Sequence, residues 1–201
     1  MKIVYATTFN AADVHHWSGT PFYMSQAFEK AGNELKYIGD LKRKLPVGFK
    51  IKQTLKKWLS GQRESPRFNL RAARHYSEQT EQLLSKLKAE VVLAPQMNPI
   101  AFLDCEQPLV LWTDAVYSSL VGFYPAFTNH SRQTIIQGNE IAKACLSRCR
   151  LAIFSSDWAA RAAIELYGVK REKVKVVPFG ANIHCNHQLK DVQSWVKNRS
   201  K

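Results

Sequence analysis

Acidic side chains are scarce in this sequence. It has 16 Asp and Glu against 29 Lys and Arg, a formal net charge of +13. Cysteine is scarcer still: Cys105, Cys145, Cys149 and Cys185 are too few for a disulfide scaffold. A chain of 201 residues that is 45% apolar can enclose its own core without one. Nine glycines and eight prolines exclude a fibrous or linker-like chain. Long apolar runs are missing too. The most apolar window, Pro108 to Phe127, contains Asp114, two prolines and several hydroxyl residues, which makes a poor membrane span. Met1-Lys2 leads into Ile3-Val4-Tyr5-Ala6 with no small-residue cleavage site, so the start reads as a strand and not a signal peptide. A soluble, cytoplasmic protein with reduced thiols is the expectation.

Several motifs are absent. Neither G-x-G-x-x-G nor G-x-x-x-x-G-K-[ST] occurs, which argues against a standard dinucleotide site or P-loop. No D-x-D run is present to hold a metal-bound diphosphate. No internal repeat, helix-turn-helix pattern or aromatic-basic nucleic-acid motif is evident, so no nucleic-acid partner is expected.

What remains is an alternation of apolar runs and helical patterns. Strands are expected at Lys2–Thr7, Glu34–Gly39, Glu90–Ala94, Pro108–Trp112, Leu151–Phe154 and Val174–Val177. Helices are expected from a Thr20 cap with Pro21 at the first position and Gly32 past the end, and over Asn69–Lys88 and Asn129–Cys149. A further helix is capped by Ser155 or Ser156 and ends at Tyr167-Gly168, and a last one spans about His187 to Arg199. Strand–helix alternation implies crossovers and a mostly parallel, doubly wound α/β sheet of Rossmann-like type. Ligands of such sheets sit outside the carboxyl ends of the strands. That rule selects Asn10, Gln96, Asp114, Ser155, Ser156 and Phe179-Gly180 before any motif is considered.

Four features allow more than one reading. Ser18, Gly19 and Thr20 open the first helix, where free N–H groups and the helix dipole attract phosphate; Gly19 is otherwise a turn glycine. Asp114 is a cleft carboxylate or a cap for the segment beginning at Ala115. His15 and His16 lie in the same first loop and are placed to touch substrate, but nothing with metal-ligand spacing accompanies them. Cys145 and Cys149, at i and i+4, read as inert buried thiols.

The charge is concentrated. Residues 36–75 hold twelve basic side chains against Asp40 and Glu64, a local net of +10 that suits an anionic partner. Within residues 41–59, Ile51, Leu55, Trp58 and Leu59 form a helical stripe among lysines. Either the stripe packs on the sheet with its lysines in water, or the segment is a peripheral contact for an anionic membrane surface.

Three stretches resemble a known family. Ser155-Ser156-Asp157-Trp158, Tyr167-Gly168 and Lys173-Val174-Lys175-Val176-Val177-Pro178-Phe179-Gly180-Ala181-Asn182 are similar to the end of the amino-terminal domain of retaining glycosyltransferase family 4. Trp17-Ser18-Gly19-Thr20-Pro21 resembles that family's glycine loop after the first strand, and Leu111-Trp112-Thr113-Asp114 its mid-domain strand end. The resemblance covers nearly the whole chain. It implies the GT-B fold, two Rossmann-like domains facing across a cleft, and transfer of a sugar from a nucleotide-sugar to an acceptor glycan, lipid or small molecule with retention. On that basis residues 1–183 are the acceptor-side domain, and 184–201 a linker or helix towards a second domain that carries the donor contacts and the E-x7-E motif, which is not found here. Gly19 would approach the donor diphosphate and Asp114 would lie at the reaction centre. Asn10, His15, His16, Gln96, Ser155 and Ser156 would line the acceptor cleft, and Gly180 and Asn182 would form the hinge. The nucleotide-sugar is then a substrate, and neither cofactor nor metal is implied. The chain is expected to fold alone without catalysing transfer. Enlarging Gly19 is expected to harm donor use while leaving the melting temperature little changed. The alternative is a non-catalytic Rossmann-like module that binds an anionic ligand or a membrane surface.

Overall fold

The computed structural model describes residues 1–182 and 188–199. Six strands, β1 (Lys2–Ala6), β2 (Glu34–Ile38), β3 (Val91–Ala94), β4 (Leu109–Thr113), β5 (Leu151–Phe154) and β6 (Val174–Val176), form one sheet in the order β2-β1-β3-β4-β5-β6, with every pair parallel. The sheet is doubly wound. Along β1, Val4 and Ala6 face one layer while Ile3 and Tyr5 face the other, as the two-residue period of a strand requires. The larger layer holds α3 (Leu70–Leu84), α5 (Arg132–Arg148) and α6 (Asp157–Tyr167). The smaller layer is built on α1 (Thr20–Lys30), whose Met24 and Phe28 pack over Tyr5 and Trp112. Leu111, Phe154 and Ile100 are fully buried, each contributing about 1.5–3 kcal/mol of burial.

Among the described residues there are three more α-helices: α2 (Phe49–Ser60), the single turn α4 (Tyr117–Leu120) and α7 (Leu189–Arg199). Among the described residues no helix is long and apolar enough to cross a membrane. Cys145 on α5 and Cys149 at its end are buried with sulfurs 4.0 Å apart, and the hydrogen bond to Cys149, with burial, pushes the Cys145 thiol well above the ordinary range.

Element boundaries depart from expectation at the ends. Gly19, not Thr20, is the cap residue of α1, because its φ of +80° turns the chain into the helix and leaves Thr20 as the first helical residue. Asn69 caps α3 and Ser131 caps α5, each accepting a backbone N–H three residues on. Those caps start the two helices one and three residues later than expected. The boundary proposed at 183/184 lies outside the described residues.

Reversal of strand order sets the place for a ligand. The chain runs from β1 outward to β2, then returns to β3 on the other side of β1, so a crevice opens between the carboxyl ends of β1 and β3.

Candidate functional site

A cavity of about 650 Å³ occupies that position. It takes one residue or two from four of the six strand ends: Phe9 after β1, Gln96 after β3, Asp114 and Ala115 after β4, Ser155 and Ser156 after β5. A narrower hollow continues beneath it, past Thr113, Tyr117 and Gly138. The crevice is rigid at its base. Gln96 Oε1 accepts hydrogen bonds from the Thr8 N–H (3.2 Å) and the Thr8 hydroxyl (3.0 Å), which ties the first strand end to the third. The Thr7 hydroxyl donates a short bond to the Phe9 carbonyl, and Gly39 has no side chain because a Cβ there would lie 2.5 Å from that same oxygen.

Asp114 opens into both cavities and caps no helix; Val116 occupies the cap position of α4. The crowding of protein around it strips hydration from the carboxylate and raises its pKa above the ordinary aspartate value. Its own backbone N–H, the Arg67 charge, the Ala115 N–H and the Thr113 hydroxyl oppose the rise without cancelling it.

Arg67 stands in the same two cavities. It belongs to a turn of 3-10 helix, Pro66–Phe68, just ahead of α3. Asn98 Nδ2 donates to the Arg67 carbonyl (3.1 Å), and the Phe68 ring packs on Tyr117 with centroids 4.3 Å apart, so the backbone that carries the guanidinium is fixed. Loss of hydration lowers the Arg67 pKa, and the Asp114 charge opposes this. The two side chains feel one another without forming a direct ion pair, and among the described residues the guanidinium makes no hydrogen bond. The guanidinium lies over the Phe68 ring, 5.7 Å from its centroid, and its planar N–H donors are available to an anion at the cavity wall. Aromatic side chains wall the space: Phe9, Trp17, Tyr124, Phe127 and Trp158.

Trp17 is aimed by an unusual backbone. Trp17 (φ 47°), Ser18 (φ 52°) and Gly19 (φ 80°) are left-handed in succession. Asn182 Nδ2 clamps this turn, donating to the Ser18 carbonyl (2.9 Å) and to Thr20 Oγ1 (2.8 Å). Phe179 meets the Trp17 ring edge-on and the Trp112 ring at a tilt. Two residues outside glycine held left-handed store strain of about 1–2 kcal/mol each, and such strain gathers where side chains must be aimed.

Of the sequence-predicted residues, Gln96, Asp114, Ser155 and Ser156 come together in the cavity, with Ser156 also capping α6 through the Ala159 N–H (3.3 Å). Asn10, His15, Ser18, Gly19 and Thr20 are not among its lining residues. His16 reaches it only indirectly, stacked on Phe9 at 4.3 Å and paired with Asp13. Gly180 is exposed, and Asn182 serves as the clamp. Gly19 has a packing reason to lack a side chain: a Cβ would meet the Tyr23 ring at 3.1 Å and Val14 Cγ2 at 3.3 Å. The expectation that enlarging it leaves the melting temperature little changed is therefore corrected. Gly19→Ala should cost about 1–2 kcal/mol in a denaturant melt, and an unchanged midpoint would show that the turn can relax.

Sequence reasoning missed Arg67, which was counted only as charge. A signal was available. The helix of each crossover starts at the carboxyl edge of the sheet, so the residues just before the Asn69 cap had to arrive beside the strand ends.

No family model matches this chain, and no curated protein matches it significantly.

Proposed function

We propose that this domain is the acceptor side of a retaining glycosyltransferase of GT-B type. The observation that carries the reading is the presence of Arg67 and Asp114 together in an aromatic-walled crevice at the switch point of a doubly wound sheet. The resemblance at Ser155–Asn182 and Trp17–Pro21 supports it independently. Sugar rings present C–H faces that lie against aromatic walls and hydroxyls that need polar partners, and the crevice supplies both. Arg67 holds an anionic group, the donor diphosphate or an acidic substituent of the acceptor. Asp114 lies near the acceptor hydroxyl or the donor sugar. As a carboxylate it stabilises positive charge at the anomeric centre, and its raised pKa brings it closer to accepting a proton. The domain thus contributes orientation, which can supply about 7–11 kcal/mol of barrier reduction once both reactants are held.

The test is saturation-transfer NMR of the chain with a panel of nucleotide-sugars and neutral and acidic glycosides. At least one sugar ligand is expected to show contacts that Trp17→Ala abolishes. Arg67→Ala should weaken an anionic ligand at least about tenfold, or 1.4 kcal/mol, while a neutral glycoside keeps its affinity. If no sugar compound binds and simple anions bind through Arg67, the non-catalytic anion-binding module replaces this reading.

A further inference from the structure

The helix α2 is mounted inside out. Its inward side is polar: Gln53 Nε2 donates to the Glu64 carbonyl (2.7 Å), and Lys56 Nζ donates to the buried Glu64 carboxylate (2.9 Å), with Lys52 at 3.8 Å. Only Phe49, at the first turn, is buried. The apolar stripe faces out. Ile51 is 68%, Leu55 52%, Trp58 81% and Leu59 72% exposed. At about 3.6 residues per turn, these four share an arc opposite Phe49, Gln53 and Lys56. Lys52 flanks the arc directly on one side, and Lys50 and Lys57 lie on the other side beyond Thr54. Of the two readings of this stripe, packing on the sheet is the one the structure overturns: the sheet layers are filled by α1, α3, α5 and α6, and α2 is held from its polar side.

We propose that α2 docks flat on an anionic lipid bilayer, with Ile51, Leu55, Trp58 and Leu59 in the acyl-headgroup boundary. A contiguous apolar stripe rimmed by lysine fits that surface, with Trp58 suited to the interface and the lysines to anionic headgroups. Charge selects the occupant. Two copies meeting face to face would set lysine rim against lysine rim, whereas an anionic lipid surface neutralises it. Lys50 and Lys57 make no ion pair among the described residues, and Lys42 and Lys44 of the preceding connection add to the same excess. The contact does not rest on the glycosyltransferase reading. It has a bearing on it, because Gln53, Thr54 and Lys57 share a hollow with Ala126, in the loop that brings Tyr124 and Phe127 to the crevice.

The experiment is sedimentation of the chain with phosphatidylcholine vesicles, alone and with about one-third phosphatidylglycerol, at about 0.1 M and about 0.5 M salt. The expected partition is at least about tenfold greater on anionic vesicles and falls with salt. Leu55→Glu/Trp58→Glu should abolish it on all vesicles. Lys50→Glu/Lys57→Glu should lower it about tenfold on anionic vesicles only. These positions are exposed, and an unchanged melt of each variant confirms that the fold is intact. Equal binding to both vesicles, or none, overturns the proposal. So does a concentration-dependent dimer that Leu55→Glu/Trp58→Glu dissociates without any vesicle binding, which would make the occupant a second copy.

Discussion

Gly138→Leu is expected to lower stability by at least about 3 kcal/mol, a fall in melting temperature of about 6–12 °C for a domain of this size. Gly138 sits mid-way along α5, where a residue with a side chain ordinarily helps a helix. Here a Cβ would lie 2.5 Å from Tyr117 Cε1 and 2.6 Å from Cδ1. The Tyr117 ring cannot step aside. Its hydroxyl is 2.8 Å from His130 Nδ1, and its ring packs on Phe68 with centroids 4.3 Å apart. Either α5 moves off the sheet or Tyr117 leaves its site, and both routes disturb the hollow beneath Asp114, which Gly138 and Tyr117 line. Gly138→Ala should show the same sign with a smaller loss. A melting temperature within about 1 °C of the parent for Gly138→Leu would mean that the contact between α5 and α4 is soft.

Glu64→Ala should cost about 2–3 kcal/mol, seen as a fall of about 4–12 °C. The Glu64 side chain is only 4% exposed and accepts from Lys56 Nζ and from the Thr134 hydroxyl (3.2 Å). The cost stays below that of a deeply buried pair because Lys52 and Lys56 can still reach water. Burial alone would raise the Glu64 pKa. Hydrogen bonds from Lys56 and Ser131, with the charges of Lys52 and Lys56, outweigh it and hold the value below the usual 4.5. A carboxylate whose pKa is lower in the folded state stabilises the fold above its unfolded value, and that contribution is lost as pH falls through the folded one. The parent and Glu64→Gln should therefore differ most near neutral pH and converge on acidification below about 4.5. A constant difference across that range would remove the ion pair as its cause.

The sheet was legible because its signals are local. Buried parallel strands read as short apolar runs, and Leu151–Phe154 matches its expected limits to the residue. Rules of chirality and connection then carried the argument from a list of strands to the edge where Gln96, Asp114, Ser155 and Ser156 meet. Non-local facts were not legible. The left-handed turn at Trp17 and Ser18 needs Asn182, more than 160 residues away, to hold it. The amphipathic pattern of α2 gave its stripe but not its facing, because periodicity is silent on which side meets the protein. That was decided by Glu64, a single buried acid that draws the lysine side inward.

The clamp at Asn182 also has a kinematic meaning. Two hydrogen bonds join the chain leaving the sheet to the chain entering the first helix, across a separation of 164 residues at Ser18. The covalent path and these bonds close a ring, and a closed ring has fewer independent motions than two free ends. Rotation of the exit at residue 182 is geared to the Ser18 backbone and to the Thr20 side chain. Trp17, the residue just before Ser18, is one of the aromatic walls of the crevice, and that gearing sets its aim.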